Sequence, residues 1–312
     1  MRLPISSTRL MSAAGIIVVW LGAVAPELRA QVDISAWPQV RVEMLVLDAN
    51  GEPMAGLNKD ALVVNEGKKS HGIIDLQPAQ EPQSVCVLID ASGSMYTRLS
   101  LVLTKARRLV KNLPAGDEVC VASFSRGMQL DQGLTGDRRT VEPALARVKA
   151  SGDGTALRDS LAALSEYMRG ASKYKSRAIV LFSDGADNSS KAGWDQMKKG
   201  FEAEGSPVVH MICLPPAMGN ARAKQVDPEE KSAMRLSRPT GGLTYFPHNM
   251  TDINSIVDNL GQVLQSRYVA TFEAENATKD GQEQWMQVSF EKSHRMGKAE
   301  VLAPEGYYAP NH

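Results

Sequence analysis

Five short apolar runs punctuate the middle of the chain: Val85-Cys86-Val87-Leu88-Ile89 and residues 119–124, 178–182, 208–214 and 243–246. Continuous apolar runs of this length, without polar alternation, predict strands buried on both faces of a parallel sheet. The stretches between them change period. Leu99, Val102, Leu103, Ala106, Leu109, Val110 and Leu113 fall on one face of a helix that Pro114-Ala115-Gly116 breaks. Further helices are predicted near residues 141–149 and 156–168, around Trp194, Met197 and Phe201, in a short piece up to Leu236, and over 253–264. Strand and helix alternating in this way predict an α/β unit over 83–267 with a doubly wound, mostly parallel sheet.

The flanks carry a different pattern. Val40, Val42, Met44 and Val46 alternate with Arg41, Glu43, Leu45 and Leu47, and Asp48-Ala49-Asn50-Gly51 is a strong turn signal. Ala61-Leu62-Val63-Val64 reads as a second strand, which Glu66-Gly67 turns toward a third near 73–76; residues 79–82 read as a linker. After the α/β stretch, residues 268–275, 285–291 and 298–302 are strand-like, with Asp280-Gly281 marking a hairpin between the first two. Each flank alone is too short to bury a good core. The expectation is one discontinuous β-sandwich, built from 31–82 plus 268–312, beside the α/β domain.

Composition is ordinary for a globular chain, with 43% hydrophobic and 22% charged residues, and 35 basic against 35 acidic residues argue against nucleic acid as a partner. The N-terminus changes the picture. Arg2 and Arg9 precede an apolar stretch over 11–25 that is short for a membrane span, and small residues follow at Ala23, Ala25 and Ala30. Residues 1–30 therefore read as a signal peptide cleaved near Ala30, for a periplasmic or secreted protein, with an uncleaved anchor as the lesser alternative. No later run reaches membrane length. The three cysteines, Cys86, Cys120 and Cys213, all lie in apolar strand patterns and read as buried thiols. Cys86 and Cys120 become neighbours only if their strands pair.

The candidate chemistry follows the first buried run. Asp90-Ala91-Ser92-Gly93-Ser94 sits at the carboxyl end of a predicted strand, where open α/β sheets bind ligands. By itself it also fits a turn that caps the next helix. Two later segments supply further oxygens: Thr155 in Ser151-Gly152-Asp153-Gly154-Thr155, and Asp184 in Ser183-Asp184-Gly185 after the strand at 178–182. Hydroxyls and carboxylates without His or Cys suit hard cations such as Mg²⁺, Mn²⁺ or Ca²⁺.

Together these segments resemble the metal-ion-dependent adhesion site of the von Willebrand factor A family, whose pattern is D-x-S-x-S, a Thr in a Gly-rich loop, and an Asp-Gly after the next central strand. The resemblance implies that Ser92, Ser94 and Thr155 touch the metal and that Asp90 and Asp184 act mainly through bound water. It also implies a binding function, in which the cation captures an Asp or Glu of a protein partner. The flanks are similar to a bacterial subfamily described mainly from acidobacterial proteins, through Asp48, Gly51, Pro53, Gly56, Leu57, Glu66 and Gly67 and through Gly306-Tyr307-Tyr308. Two other readings stand beside this one. An assembly or structural subunit of an envelope complex is compatible with the same motifs. A metal-assisted hydrolase lacks a His, Glu or Lys in the three site segments to serve as acid or base.

Overall fold

The computed structural model describes residues 32–152, 154–201, 205–215, 235–294 and 297–311. The expected signal peptide at 1–30 and nearly all of the polar stretch 215–228 lie outside the described residues. In chain order the strands are β1 (Val32–Asp33), β2 (Gln39–Leu47), β3 (Leu62–Glu66), β4 (Lys69–Gly72), β5 (Asp75–Pro78), β6 (Ser84–Asp90), β7 (Glu118–Phe124), β8 (Met128–Thr135), β9 (Arg177–Ser183), β10 (Val208–Cys213), β11 (Thr244–Tyr245), β12 (Arg267–Glu273), β13 (Glu283–Phe290), β14 (Glu300–Leu302) and β15 (Gly306–Tyr308). The helices named here are α1 (Leu99–Asn112), α2 (Arg138–Arg147), α3 (Leu157–Ala171), α4 (Trp194–Phe201) and α5 (Ile253–Val263).

The central sheet has the order β11-β10-β9-β6-β7-β8, parallel throughout except for β8. Strand β6 is buried along its whole length because it is paired on both sides and covered on both faces. Val85, Val87 and Ile89 pack toward Val102, Leu109, Val257 and Leu260 of α1 and α5, while Cys86 and Leu88 pack toward Leu161, Leu164 and Met168 of α3 and Phe201 of α4. Each such side chain contributes roughly 1.5–3 kcal/mol on burial, so the run fixes β6 at the centre of the sheet. The carboxyl ends of β6, β7, β9 and β10 consequently share one edge.

The flanking segments form two antiparallel sheets. One has the order β1-β2-β12-β5 with β14 also on β2, and the other β15-β13-β3-β4. Both line one core of Val40, Val42, Met44, Leu62, Val64, Ala270, Phe272, Met286 and Tyr307. The period-2 alternation of β2 explains its double role: Val42, Met44 and Val46 face this core, and Leu45 and Leu47 face the α/β layer. Tyr307 joins the two ends of the chain, since its hydroxyl donates to Glu66 Oε1 at 2.6 Å while Glu66 Oε2 accepts from the Glu275 amide at 2.8 Å.

Several expectations are corrected. Strand β8, an edge strand with a broken register against β7, has no counterpart in the sequence reading. The single strand expected near 73–76 is replaced by β4 and β5 in different sheets, with Ile73 buried between them. Asp280-Gly281 does not close a hairpin: β12 pairs with β2 and β5, β13 with β3 and β15, so the connection crosses from one sheet to the other. Cys86 and Cys120 are joined in a disulfide instead of lying as free thiols. Parallel pairing of β6 with β7 sets them directly opposite each other, with Cα atoms 4.5 Å apart. Cys213 is a buried thiol, as expected.

The junction between the layers is polar and buried. Arg267 bonds Glu43 and Ser176 and donates from Nε to the Leu264 carbonyl at 2.8 Å; burial lowers its pKa to about 10. Gln83 donates to the same carbonyl at 2.9 Å. His210 lines the small cavity beside Arg267 and Gln83, and its Nδ1 accepts from the Leu243 amide at 3.2 Å. Burial lowers the His210 pKa to about 4, so the folded chain keeps it neutral. An unfolded His titrates near 6.5, so acid favours the unfolded state, and the loss of stability runs from pH ~6.5 down to pH ~4. We expect this residue to account for about 3 kcal/mol of acid destabilisation. Urea unfolding at pH 7 and pH 4 should show a shallower pH dependence for His210→Asn, and equal slopes for the two proteins would refute the assignment.

Candidate metal centre

The site begins where β6 leaves the sheet. The Ala91 amide still pairs with the Phe124 carbonyl at 2.7 Å, and the Ser151 amide pairs with the Ala91 carbonyl at 2.8 Å, so the first two loops are anchored together. A single 3-10 turn over Gly93–Met95 follows, closed by the Met95 amide on the Ser92 carbonyl at 3.0 Å. Met95 is buried beneath the turn and pins it to the core. Gly93 lies so near the second loop that a Cβ would sit 3.1 Å from the Gly152 carbonyl oxygen.

Four of the five expected residues are joined by hydrogen bonds. Asp90, fully buried, accepts from the Ser92 amide on Oδ1 at 2.9 Å and from the Ser183 hydroxyl on Oδ2 at 2.7 Å. The Ser92 and Ser94 hydroxyl oxygens are 3.2 Å apart, and Ser94 donates to Asp184 Oδ2 at 2.9 Å. The fifth, Thr155, is buried at the head of α3, and its loop meets the first through the Gly93–Gly152 approach. Its amide donates to Asn188 Oδ1 at 2.8 Å, and its carbonyl accepts from the Asn188 and Ser189 amides at 3.0 Å each. Gly154 makes this turn at φ 107°, and a Cβ there would strike Ser189 Oγ at 2.5 Å, so only glycine fits.

The segment after Asp184 is threaded onto the start of α3. Asp187 Oδ2 accepts from the Arg158 amide and Nε at 2.9 and 3.0 Å, and Asp159 accepts from the Lys191 and Ala192 amides. Burial raises the Asp90 carboxyl above its ordinary range; its bonds to Ser92 and Ser183 act against this, and the Asp184 charge adds to it. A carboxylate held dry beside a second carboxylate is stabilised by a cation. Among the described residues no cluster of three or more His, Cys, Asp or Glu side chains forms a metal site. The oxygens gathered here are two carboxylates and hydroxyls, a donor set that fits a hard divalent ion and not a thiophilic one.

Three residues at this site escape the sequence reading. Ser183 holds Asp90, Asn188 brackets Thr155, and Arg98 bonds Asp184. Arg98 leaves one local signal: a cation at a helix N-terminus opposes the helix dipole and needs another reason to be there.

Residues 85–186 match the family model described as von Willebrand factor type A domain. Among curated proteins, the chain is 27% identical over 185 residues to calcium-activated chloride channel regulator 1 of Equus caballus and 25% identical over 186 residues to that of Homo sapiens. Each match covers 57% of this chain and only 18% of the relative's length. Among solved structures, a von Willebrand factor type A protein from Catenulispora acidiphila matches with TM-score 0.47 and 14% identity, over 92% of this chain and 75% of that one. A conserved hypothetical protein, BatB, from Bacteroides thetaiotaomicron matches with TM-score 0.45 and 18% identity, over 58% of this chain and 98% of that one.

Proposed function

Because residues 85–186 match the von Willebrand factor type A family model, we propose that the chain is an exported, metal-dependent protein-binding module that captures an acidic side chain of its partner. The observation that carries this reading is the hydrogen-bonded cluster of Asp90, Ser92, Ser94 and Asp184 at the carboxyl edge of the central sheet, with the Thr155 loop packed against it. Ser92, Ser94 and Thr155 would hold Mg²⁺ or Mn²⁺, with Asp90 and Asp184 compensating its charge through bound water. A cation held by neutral hydroxyls stays electrophilic and offers a position to a carboxylate oxygen from outside. The chain's own residues prepare that position. Ser183 and the Ser92 amide fix the Asp90 carboxylate, and Asn188 fixes the Thr155 backbone.

Two further observations support the reading. Tyr96, two residues beyond Ser94, is 67% exposed, and an aromatic side chain at such a rim is the usual kind of anchor for a protein partner. The Cys86–Cys120 disulfide suits an oxidising compartment outside the cytoplasm. Among the described residues no helix is long and apolar enough to cross a membrane. We also propose that the two flanking sheets act as one discontinuous domain, from their shared core.

The test is capture from an envelope or secreted fraction on immobilised protein, with 5 mM Mg²⁺ or with EDTA, where the concentration is of the order that saturates weak sites. The partner should be retained with Mg²⁺ and lost with EDTA. Retention that survives EDTA would move the binding surface to the flanking sheets.

A further inference from the structure

Arg98 is more than nine-tenths buried, yet it is a cation at the wrong end of a helix. Its Nη2 donates to Asp184 Oδ2 at 2.5 Å and its Nη1 to the Pro215 carbonyl at 2.5 Å. Asp184 Oδ2 is the oxygen that also accepts from Ser94. The guanidinium is therefore locked onto one of the two carboxylates expected to compensate a divalent ion. Its Nε, buried without a partner among the described residues, adds to the cost of keeping it there.

We propose that Arg98 is a built-in counter-cation that cancels the charge of Asp184, weakening the metal's hold on the empty protein and leaving the ion more reliant on a partner's carboxylate. This rests on the metal-binding reading above. With Asp184 paired, Asp90 is the one carboxylate left among the five expected residues to offset a double positive charge. The deficit is made up when an acidic side chain arrives, so metal and partner bind with positive linkage. Linkage of this kind keeps the site weakly loaded until it is engaged. A positioning role alone would have the opposite sign: removing Arg98 would free Asp184 to wander and weaken the metal.

The experiment is titration calorimetry with Mn²⁺ alone, at fixed ionic strength, on the whole chain and on Arg98→Gln, Arg98→Met and Arg98→Lys, with thermal unfolding of each in EDTA and in Mn²⁺. Removing the charge should tighten Mn²⁺ at least ~5-fold in the Gln or Met variant, the effect of one unit charge a few ångströms away at a partly screened site. Arg98→Lys should stay near the parent. The Gln and Met variants should melt lower than the parent in EDTA and regain more of that loss on adding Mn²⁺. Either neutral variant, if it folds, decides the point. Unchanged or weaker Mn²⁺ binding in the neutral variants, against normal binding in the parent, overturns the role of Arg98 and leaves the metal site standing. A parent chain that binds no Mn²⁺ overturns the metal reading and this inference together.

Discussion

Replacing Asp90 with Ala should lower affinity for Mg²⁺ and Mn²⁺ by ~100-fold or more, the upper range for losing a residue that orients the ligands of a bound ion. Asp90 fixes the first turn through the Ser92 amide and reaches β9 through Ser183, so its loss removes both charge and alignment. Folding should survive. The variant leaves the Ser92 amide and Ser183 hydroxyl without an acceptor, at roughly 1–3 kcal/mol each, but it also removes a buried carboxylate facing Asp184. Asp90→Asn, which retains an acceptor, should fold better and bind metal no better. Calorimetry giving parental affinity in a folded Asp90→Ala chain would dismiss the assignment of the site.

Deleting residues 31–80 should be the most damaging change to solubility. It removes β1 to β5, and with them both sheet partners of β12 and the β3 partner of β13. Phe272, Met286 and Tyr307 lose the Val42, Val64 and Leu62 side chains they pack with. Unpaired strands with an apolar face aggregate. Light scattering should therefore report large species, and limited proteolysis should cut within 268–311. A monomeric deletion product with that tail protected would show that the two flanks are independent.

The elements that the chain makes legible are those decided by local composition. Continuous apolar runs identify β6, β7, β9 and β10 because full burial tolerates no polar alternation. The Asp90, Ser92 and Ser94 cluster is equally legible, since a tight turn after such a strand brings neighbours in sequence together. What escapes is decided at long range. The Cys86–Cys120 pair depends on the register between two strands 34 residues apart. Arg98 meets Asp184 across 86 residues, and its one local signal, a cation at the start of a helix, does not name the partner. Strands β4 and β8 lie at sheet edges, where exposed polar residues such as Lys69, Ser70 and Gln129 weaken the alternation that marks a strand.

The chain crosses between the α/β layer and its neighbour at one place, beside the buried Arg267 junction. The Ala79 amide bonds the Arg267 carbonyl at 2.8 Å, and Pro78 pairs with Tyr268, so the chain enters and leaves the layer side by side. The Asp90 edge lies at the far end of β6, a strand's length of roughly 20 Å away. Under the proposed reading, a partner pulling on that edge draws β6 lengthwise against that junction. Under such tension the hydrogen bonds to β7 and β9 are sheared together, where an off-axis attachment would unzip them one by one. The geometry thus gives a partner held at the Asp90 edge a mechanically stiff line of force through the centre of the sheet.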